Sequence, residues 1–420
     1  MARLVLVIVI AVIAACLSGC PNDDDLASDI QEGNTAYNKA DWDQAIEHFT
    51  RVVDRLQTEG GLPVKEQAEI FNRRGHAAFM TKRYDQAIKD FSAAISLDPT
   101  DTQLFYRRGL ARLYRGDCQQ AIRDFDSVLD NISDDSEASF YRGLCHFRQK
   151  TYDKAIADFN TAINANPQNA DAYYYRGQAY AASYLYDQAV EDFSSTIRFK
   201  PDDADIFFQR GLAYLNSKHF DQAIEDFSTT IRYKPDDARA FNFRGLSNAG
   251  KELYTPAIED YTAALRLQPN YAEAYLNRGN AHSNKTLYDQ AIDDYSAALR
   301  SNPSLAEAQN KRGLVYFFKG LYDKAVADFN QAIAADQSNA TAFFNRGRVF
   351  SNQELYDQAI SDYTRAIEID PNFAEAYYER GNAYAYQENR ESAVEDYKKA
   401  YAIDPTNPRI RATMRQLGLL

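Results

Sequence analysis

The chain has 420 residues, 45% hydrophobic and 25% charged, a folded-protein composition that excludes both a disordered chain and a polytopic membrane protein. With 47 basic and 60 acidic residues the net charge is −13, so general binding to nucleic acid or acidic membrane would need a local basic cluster, and the sequence holds none. The composition is skewed toward 30 Tyr and 24 Phe against 1 Trp and 3 Met, which places single rings at many equivalent points.

At the N-terminus, Arg3 and the apolar run Leu4 to Ala15 read as the n- and h-regions of a secretory signal, the run being too short for a comfortable membrane span. It closes on Leu17-Ser18-Gly19-Cys20, which resembles a bacterial lipobox. The resemblance implies a lipoprotein signal peptide over residues 1–19, cleavage before Cys20 and a diacylglyceryl group on the Cys20 thiol. Ile13-Ala14-Ala15-Cys16 also fits, but Cys20 opens a polar tether over 20–25, Pro21-Asn22-Asp23-Asp24-Asp25. An uncleaved membrane anchor or a plain secretory signal is the alternative reading.

From residue 26 to 407 the sequence repeats. Gly75, Gly109, Gly143, Gly177, Gly211, Gly245, Gly279, Gly313, Gly347 and Gly381 follow one another at 34-residue steps, each preceded by Arg. Ala stands twelve residues after each Gly, and Phe or Tyr four further on. An earlier copy runs through Gly33, Ala45 and Phe49, set apart by an eight-residue insertion, 60–67, which makes eleven copies. Each copy reads as two helices. Gly at position 8 and Ala at position 20 let the helix backbones approach, and aromatic residues at positions 4, 17 and 24 fill the space around the contact. Pro at position 32 ends the second helix, and Asp in Tyr-Asp-Gln-Ala is available to the free amides of its first turn.

These residues resemble the tetratricopeptide repeat. The resemblance implies an all-α fold, a right-handed superhelical solenoid of about eleven helical hairpins. First helices would line a concave groove that grips peptides or partner proteins. Residues 408–420 read as a short capping helix over the last apolar face.

Two internal pairings follow from the columns. Arg at position 7 and Asp at position 23 are each present in ten copies, and the first copy lacks both, having Glu32 and His48. Either they pair across the hairpin, or they are independent solvated charges and the first copy is an atypical end. Cys118 and Cys145 depart from their columns in adjacent repeats, at a junction that has Ser133 for Pro and Ser139 for the usual ring. In an exported protein they could form a disulfide; the alternative is two buried thiols.

Catalytic chemistry is not legible. The five histidines, His48, His76, His146, His219 and His282, fall in five repeats with no metal-ligand spacing, so no metal or other cofactor is expected. Gly245 to Lys251 opens like a phosphate-binding loop but continues with Glu252 in place of Ser or Thr, so no nucleotide is expected.

If the family geometry holds, positions 2, 5, 9, 12 and 13 of the first helices face the groove. Position 5 carries Tyr106, Phe140, Tyr174 and Phe208 in succession, with Phe344 and Tyr378 further on; Leu110, Leu144, Phe147 and Leu212 join the lining, and Gln178 and Asn216 add hydrogen-bonding groups. Such a lining suits peptide segments with apolar side chains, unless the rings pack between neighbouring helices. The expected function is a non-catalytic scaffold or assembly factor, lipid-anchored at the periplasmic or outer-membrane side of a bacterial envelope. The alternatives are an envelope polysaccharide-binding protein and an activator of a peptidoglycan hydrolase.

Overall fold

The computed structural model describes residues 23–59 and 61–420. The signal segment, Cys20, Pro21 and Asn22 lie outside the described residues. Among those described are 23 α-helices and no strand. They run as eleven antiparallel pairs, from Asp23–Asn38 with Trp42–Glu59 to Ala374–Tyr386 with Arg390–Ile403, followed by Pro408–Gln416. The first helix begins at Asp23, so Asp23 to Asp25 of the expected tether are already helical. The insertion 60–67 lengthens its neighbours: one helix runs on to Glu59 and the next starts at Val64.

The repeat chemistry explains the pairing. A Cβ on Gly279 would stand 2.7 Å from Cε1 of Tyr295, and one on Gly75 would stand 2.9 Å from Cε1 of Phe91. The glycine therefore admits the ring of position 24 more than the facing backbone. Those rings are fully buried, with Phe159 and Phe193 at 0% exposure. The turn between paired helices always passes through one left-handed residue at position 15, with φ near +60° at Ala40, Lys82, Lys150, Tyr184, Lys218, Glu252, Thr286, Glu354 and Glu388. Glycine, which adopts that conformation without strain, occupies the position only at Gly116 and Gly320.

The first-turn aspartates do something other than cap. At Arg83, the residue before the helix Tyr84–Leu97, no side chain caps the amides. Asp43 and Asp85 instead accept hydrogen bonds from the next repeat, from Arg83 at 2.6 Å and Arg115 at 2.7 Å. First helices are capped more often, as by Asp101 and Asn169. At the far end Ile410 and Met414 of Pro408–Gln416 are buried with Tyr397 and Ala400, so this helix closes the last apolar face.

The chain divides between Gln209 and Arg210 into two compact units. Within each, second helices pack on the first helix of the following repeat, as Tyr84–Leu97 does on Thr102–Arg115 and Tyr254–Leu267 on Ala272–Asn284, and neighbouring first helices such as Thr102–Arg115 and Ser136–Arg148 also touch.

Candidate functional site

Position 7 and position 23 are joined in all ten repeats that carry Arg and Asp. Arg74, Arg108, Arg142, Arg176, Arg210, Arg244, Arg278, Arg312, Arg346 and Arg380 lie 2.6 to 2.8 Å from Asp90, Asp124, Asp158, Asp192, Asp226, Asp260, Asp294, Asp328, Asp362 and Asp396. The same guanidinium also reaches back one repeat: Arg142 Nη1 to Asp126, Arg176 Nη1 to Asn160, Arg278 Nη1 to Thr262. The sequence pairing was therefore sound, and its second half, the tie between repeats, was missed.

Cys118 and Cys145 come together. Both are free, buried thiols in one apolar cluster with Leu113, Phe125 and Leu144. Burial, with the Cys118 thiol beside it, pushes the Cys145 thiol well above its ordinary value. Ser139, at 0% exposure, leaves its hydroxyl without a hydrogen-bond partner.

The rings expected to line a groove are bound into the core. Tyr106 packs on Phe125 at 6.2 Å and on Tyr141 of the next repeat at 6.1 Å; Phe140 packs on Phe159 at 5.9 Å and on Tyr175 at 6.0 Å. Tyr174 and Tyr378 meet their own position-24 rings, Phe193 and Tyr397, in the same way. Most of these rings are half-buried, but Phe208 is only 5% exposed, so it presents nothing to a ligand. The physical reason is that position 5 sits above the ring at position 24 and beside position 6 of the next first helix. Leu110 and Leu144 pack on the same cluster as the two thiols. Phe147 packs on Tyr152 and Tyr175. Gln178 donates to the Tyr174 hydroxyl at 3.0 Å, and Asn216, exposed, to the Leu212 carbonyl at 2.8 Å. Where position 5 is Asn it is used up in ties between repeats: Arg107 donates to Asn72, Asn277 to Asn242 and Asn345 to Asn310.

Open space on the first-helix face is found at Tyr174, in a recess of about 190 Å³ shared with Asp171, Lys200 and Asp205, and in a larger one near the C-terminus. A recess of about 440 Å³ is lined by Phe344, Arg348, Ser351 and Asn352 of the helix Ala340–Asn352, by Glu375 and Glu379 of Ala374–Tyr386, and by Arg409. Phe344, Arg348, Ser351 and Asn352 are positions 5, 9, 12 and 13 of their repeat, four of the five assigned to the groove. Arg348 is held between the rings of Phe317 and Phe344, 4.9 and 5.8 Å from their centroids, and Arg409 lies over Tyr378 and 3.1 Å from Glu379. The aromatic faces keep Arg348 extended with its donors toward the recess. This place was legible only in part, because Arg348 is a single departure from a column otherwise Leu, Asn, Gln or His.

A second cluster, at the N-terminal end, has no counterpart in the other repeats. Asp29, Glu32 and His48 each bring one donor atom within 4.8 Å of the others. The histidines themselves stay apart; His48 meets the two carboxylates only because folding unites two helices. Gly245 and Gly250 lie inside the helix Ala238–Gly250, where a Cβ on Gly250 would meet Phe220 at 2.5 Å; they are packing glycines, not a phosphate loop.

The fold and this face define an all-helical repeat protein built from two-helix units of 34 residues. Tetratricopeptide repeat profiles match residues 106–170, 152–204, 208–272, 252–305 and 276–340, a TPR repeat profile matches 352–388, and a further tetratricopeptide repeat profile matches 68–101 and 374–407. The chain belongs to the tetratricopeptide repeat family, whose members act as protein-interaction scaffolds. No curated protein matches it. Among solved structures it is similar to YrrB, described as a TPR protein with an unusual peptide-binding site, at 28% identity over 46% of this chain and 100% of that one, TM-score 0.39. It is also similar to the APC/C hetero-tetramer Cut9-Hcn1, at 17% identity over 91% and 82%, TM-score 0.48. A third is yeast Tom70, at 14% identity over 91% and 93%, TM-score 0.46. No helix of the described residues is long and apolar enough to cross a membrane.

Proposed function

We propose that this protein is a non-catalytic scaffold that binds a peptide segment of a partner protein on its first-helix face, and that a lipidated Cys20 holds it at a bacterial envelope membrane. The observation that carries the reading is the recess around Arg348, where two guanidiniums, two carboxylates, an amide and a hydroxyl converge beside the Phe344 ring on space large enough for two or three side chains. The charged and polar groups fix the register of the bound segment, and the Phe344 ring gives it an apolar contact. The half-buried rings of Tyr106, Phe140 and Tyr174 hold first helices together and contribute only their outer faces.

Anchoring rests on the lipobox resemblance at Leu17 to Cys20. Two or three acyl chains give stable attachment without a membrane-spanning helix.

Both parts are testable in cells. A photo-crosslinking residue at Asn352 captures the partner, and Arg348→Ala with Phe344→Ala abolishes the capture while the helical signal is retained. Undiminished capture by that double variant sinks the binding reading. Labelled palmitate enters the wild-type chain and not Cys20→Ser; equal labelling sinks the anchor.

A further inference from the structure

The first repeat breaks the pattern at three positions, and the three departures meet at one point. Asp29 stands at position 4, where eight of the other ten repeats have a ring; Glu32 replaces the Arg of position 7; His48 replaces the Asp of position 23. The helix Asp23–Asn38 supplies Asp29 and Glu32 one turn apart, and Trp42–Glu59 supplies His48 across the hairpin. His48 Nδ1 lies 3.3 Å from Asp29 Oδ1 and 3.3 Å from Glu32 Oε2.

Those spacings fit a metal ion. Nitrogen and oxygen ligands bind zinc at about 2.0 to 2.2 Å in tetrahedral array, which sets neighbouring ligand atoms roughly 3.4 Å apart. One imidazole with two carboxylates, leaving a position open, suits zinc, cobalt or another borderline divalent ion rather than calcium. The charges agree. Asp25, Asp29, Glu32 and Glu47 surround the point, against Arg51 and Arg55: Arg51 reaches Asp29 and Glu47 at 2.8 Å, and Arg55 lies 3.7 Å from Asp29 and 3.8 Å from Asp25. Carboxylates outnumber guanidiniums around the cluster, which favours a cation.

We propose that Asp29, Glu32 and His48 form a divalent transition-metal site, in which the ion exchanges with the Arg51 guanidinium. Arg51 Nη2 now lies 2.6 Å from His48 Nδ1 and occupies the lone pair an ion would take. Its side chain is 41% exposed and its Nη1 already holds Glu47, so Nε and Nη2 turn away from Asp29 and His48 when the ion enters while Nη1 stays on Glu47. An ion there crosslinks the two helices of this repeat, which lacks the Arg–Asp pair of the others. The site is independent of peptide binding at the recess.

The test is titration of the untagged, chelator-stripped full chain with Co²⁺, followed by its visible absorption and by calorimetry. One equivalent binds, His48→Ala and Glu32→Gln each weaken binding at least about tenfold, and Arg51→Ala tightens it. Glu32 is largely exposed, so Glu32→Gln keeps the fold if His48→Ala does not. Affinity that is unchanged in both ligand variants, as capture by cysteine would give, or no uptake at millimolar Co²⁺, overturns the proposal.

Discussion

Arg176 donates through Nε and Nη2 to the two carboxylate oxygens of Asp192, at 2.8 and 2.6 Å. The side chains are 17% and 4% exposed, so neither charge has water as an adequate substitute. Removing one partner strands the other, and Arg176→Met is expected to cost about 3 kcal/mol. A double-mutant cycle with Asp192→Leu measures the coupling by urea unfolding. A coupling under about 0.5 kcal/mol would show the pair to be two independent charges.

Lys150 adopts φ +59° on an exposed turn. A left-handed residue with a Cβ costs about 1 to 2 kcal/mol, and glycine recovers part of it while adding disorder to the unfolded chain. Lys150→Gly is therefore expected to stabilise by roughly 0.5 to 1 kcal/mol, matching the Gly116 and Gly320 turns. A lowered thermal midpoint would mean that Lys150 makes a contact worth more than the strain.

Gly279→Ala gains about 1 kcal/mol in helix propensity but drives a methyl to 2.7 Å from the Tyr295 ring. Overpacking of this kind costs about 1 to 3 kcal/mol, so net destabilisation is expected. Tyr295→Leu makes room, and the double variant should lose less than the two single losses added. Strict additivity in denaturant melts would remove the explanation.

Folding decides the state of Cys118 and Cys145. With both thiols buried and Cys145 pushed up by burial, little thiolate exists in the folded protein, so a bond between them forms while the chain is still open. Protein exported through an oxidising compartment is expected to show no free thiol at these positions after unfolding without reductant. Protein folded in a reducing cytosol should show two, unreactive until unfolded. Two free thiols in the exported form would exclude the bridge.

Acid should loosen the turns that end second helices. Asp404 accepts from the Thr406 hydroxyl at 2.7 Å and its amide at 3.0 Å, which hold its carboxyl below the ordinary value; Asp98 and Asp336 do the same with Thr100 and Ser338. A depressed folded value means stability that is complete above the unfolded value near 3.9 and lost as pH falls through the folded one. The thermal midpoints of wild type and Asp404→Asn should converge as pH drops from 5 toward 2.5. A constant gap would contradict the assignment.

Much of the fold can be read in the columns because each repeat states the same constraint eleven times. Gly at position 8 with a ring at position 24, and Arg at 7 with Asp at 23, are contacts within one hairpin, and their co-occurrence is visible. Contacts between repeats are harder. Asn242 with Asn277, and Asn310 with Asn345, join position 5 to position 6 of the next copy, a register that appears only when columns are compared one repeat apart. The groove lining is legible only in part for a related reason: spacing puts Phe208 on the first-helix face, but only packing shows that its neighbours cover it. The recess at Arg348 and the cluster at His48 arise from exceptions, and an exception has no column to announce it.

The backward reach of each arginine gives the array a direction. A copy inserted between two repeats arrives with the guanidinium that fastens it to its predecessor, which needs only a small hydrogen-bond acceptor such as Ser296 or Thr364; the last repeat carries Lys398 at that place and is already closed by Pro408–Gln416. A unit added at the front must instead meet a starting hairpin whose Glu32 and His48 offer no such hook. Lengthening by duplication is thus structurally inexpensive between existing repeats and obstructed at either end of the array, so the number of repeats is free to vary from within.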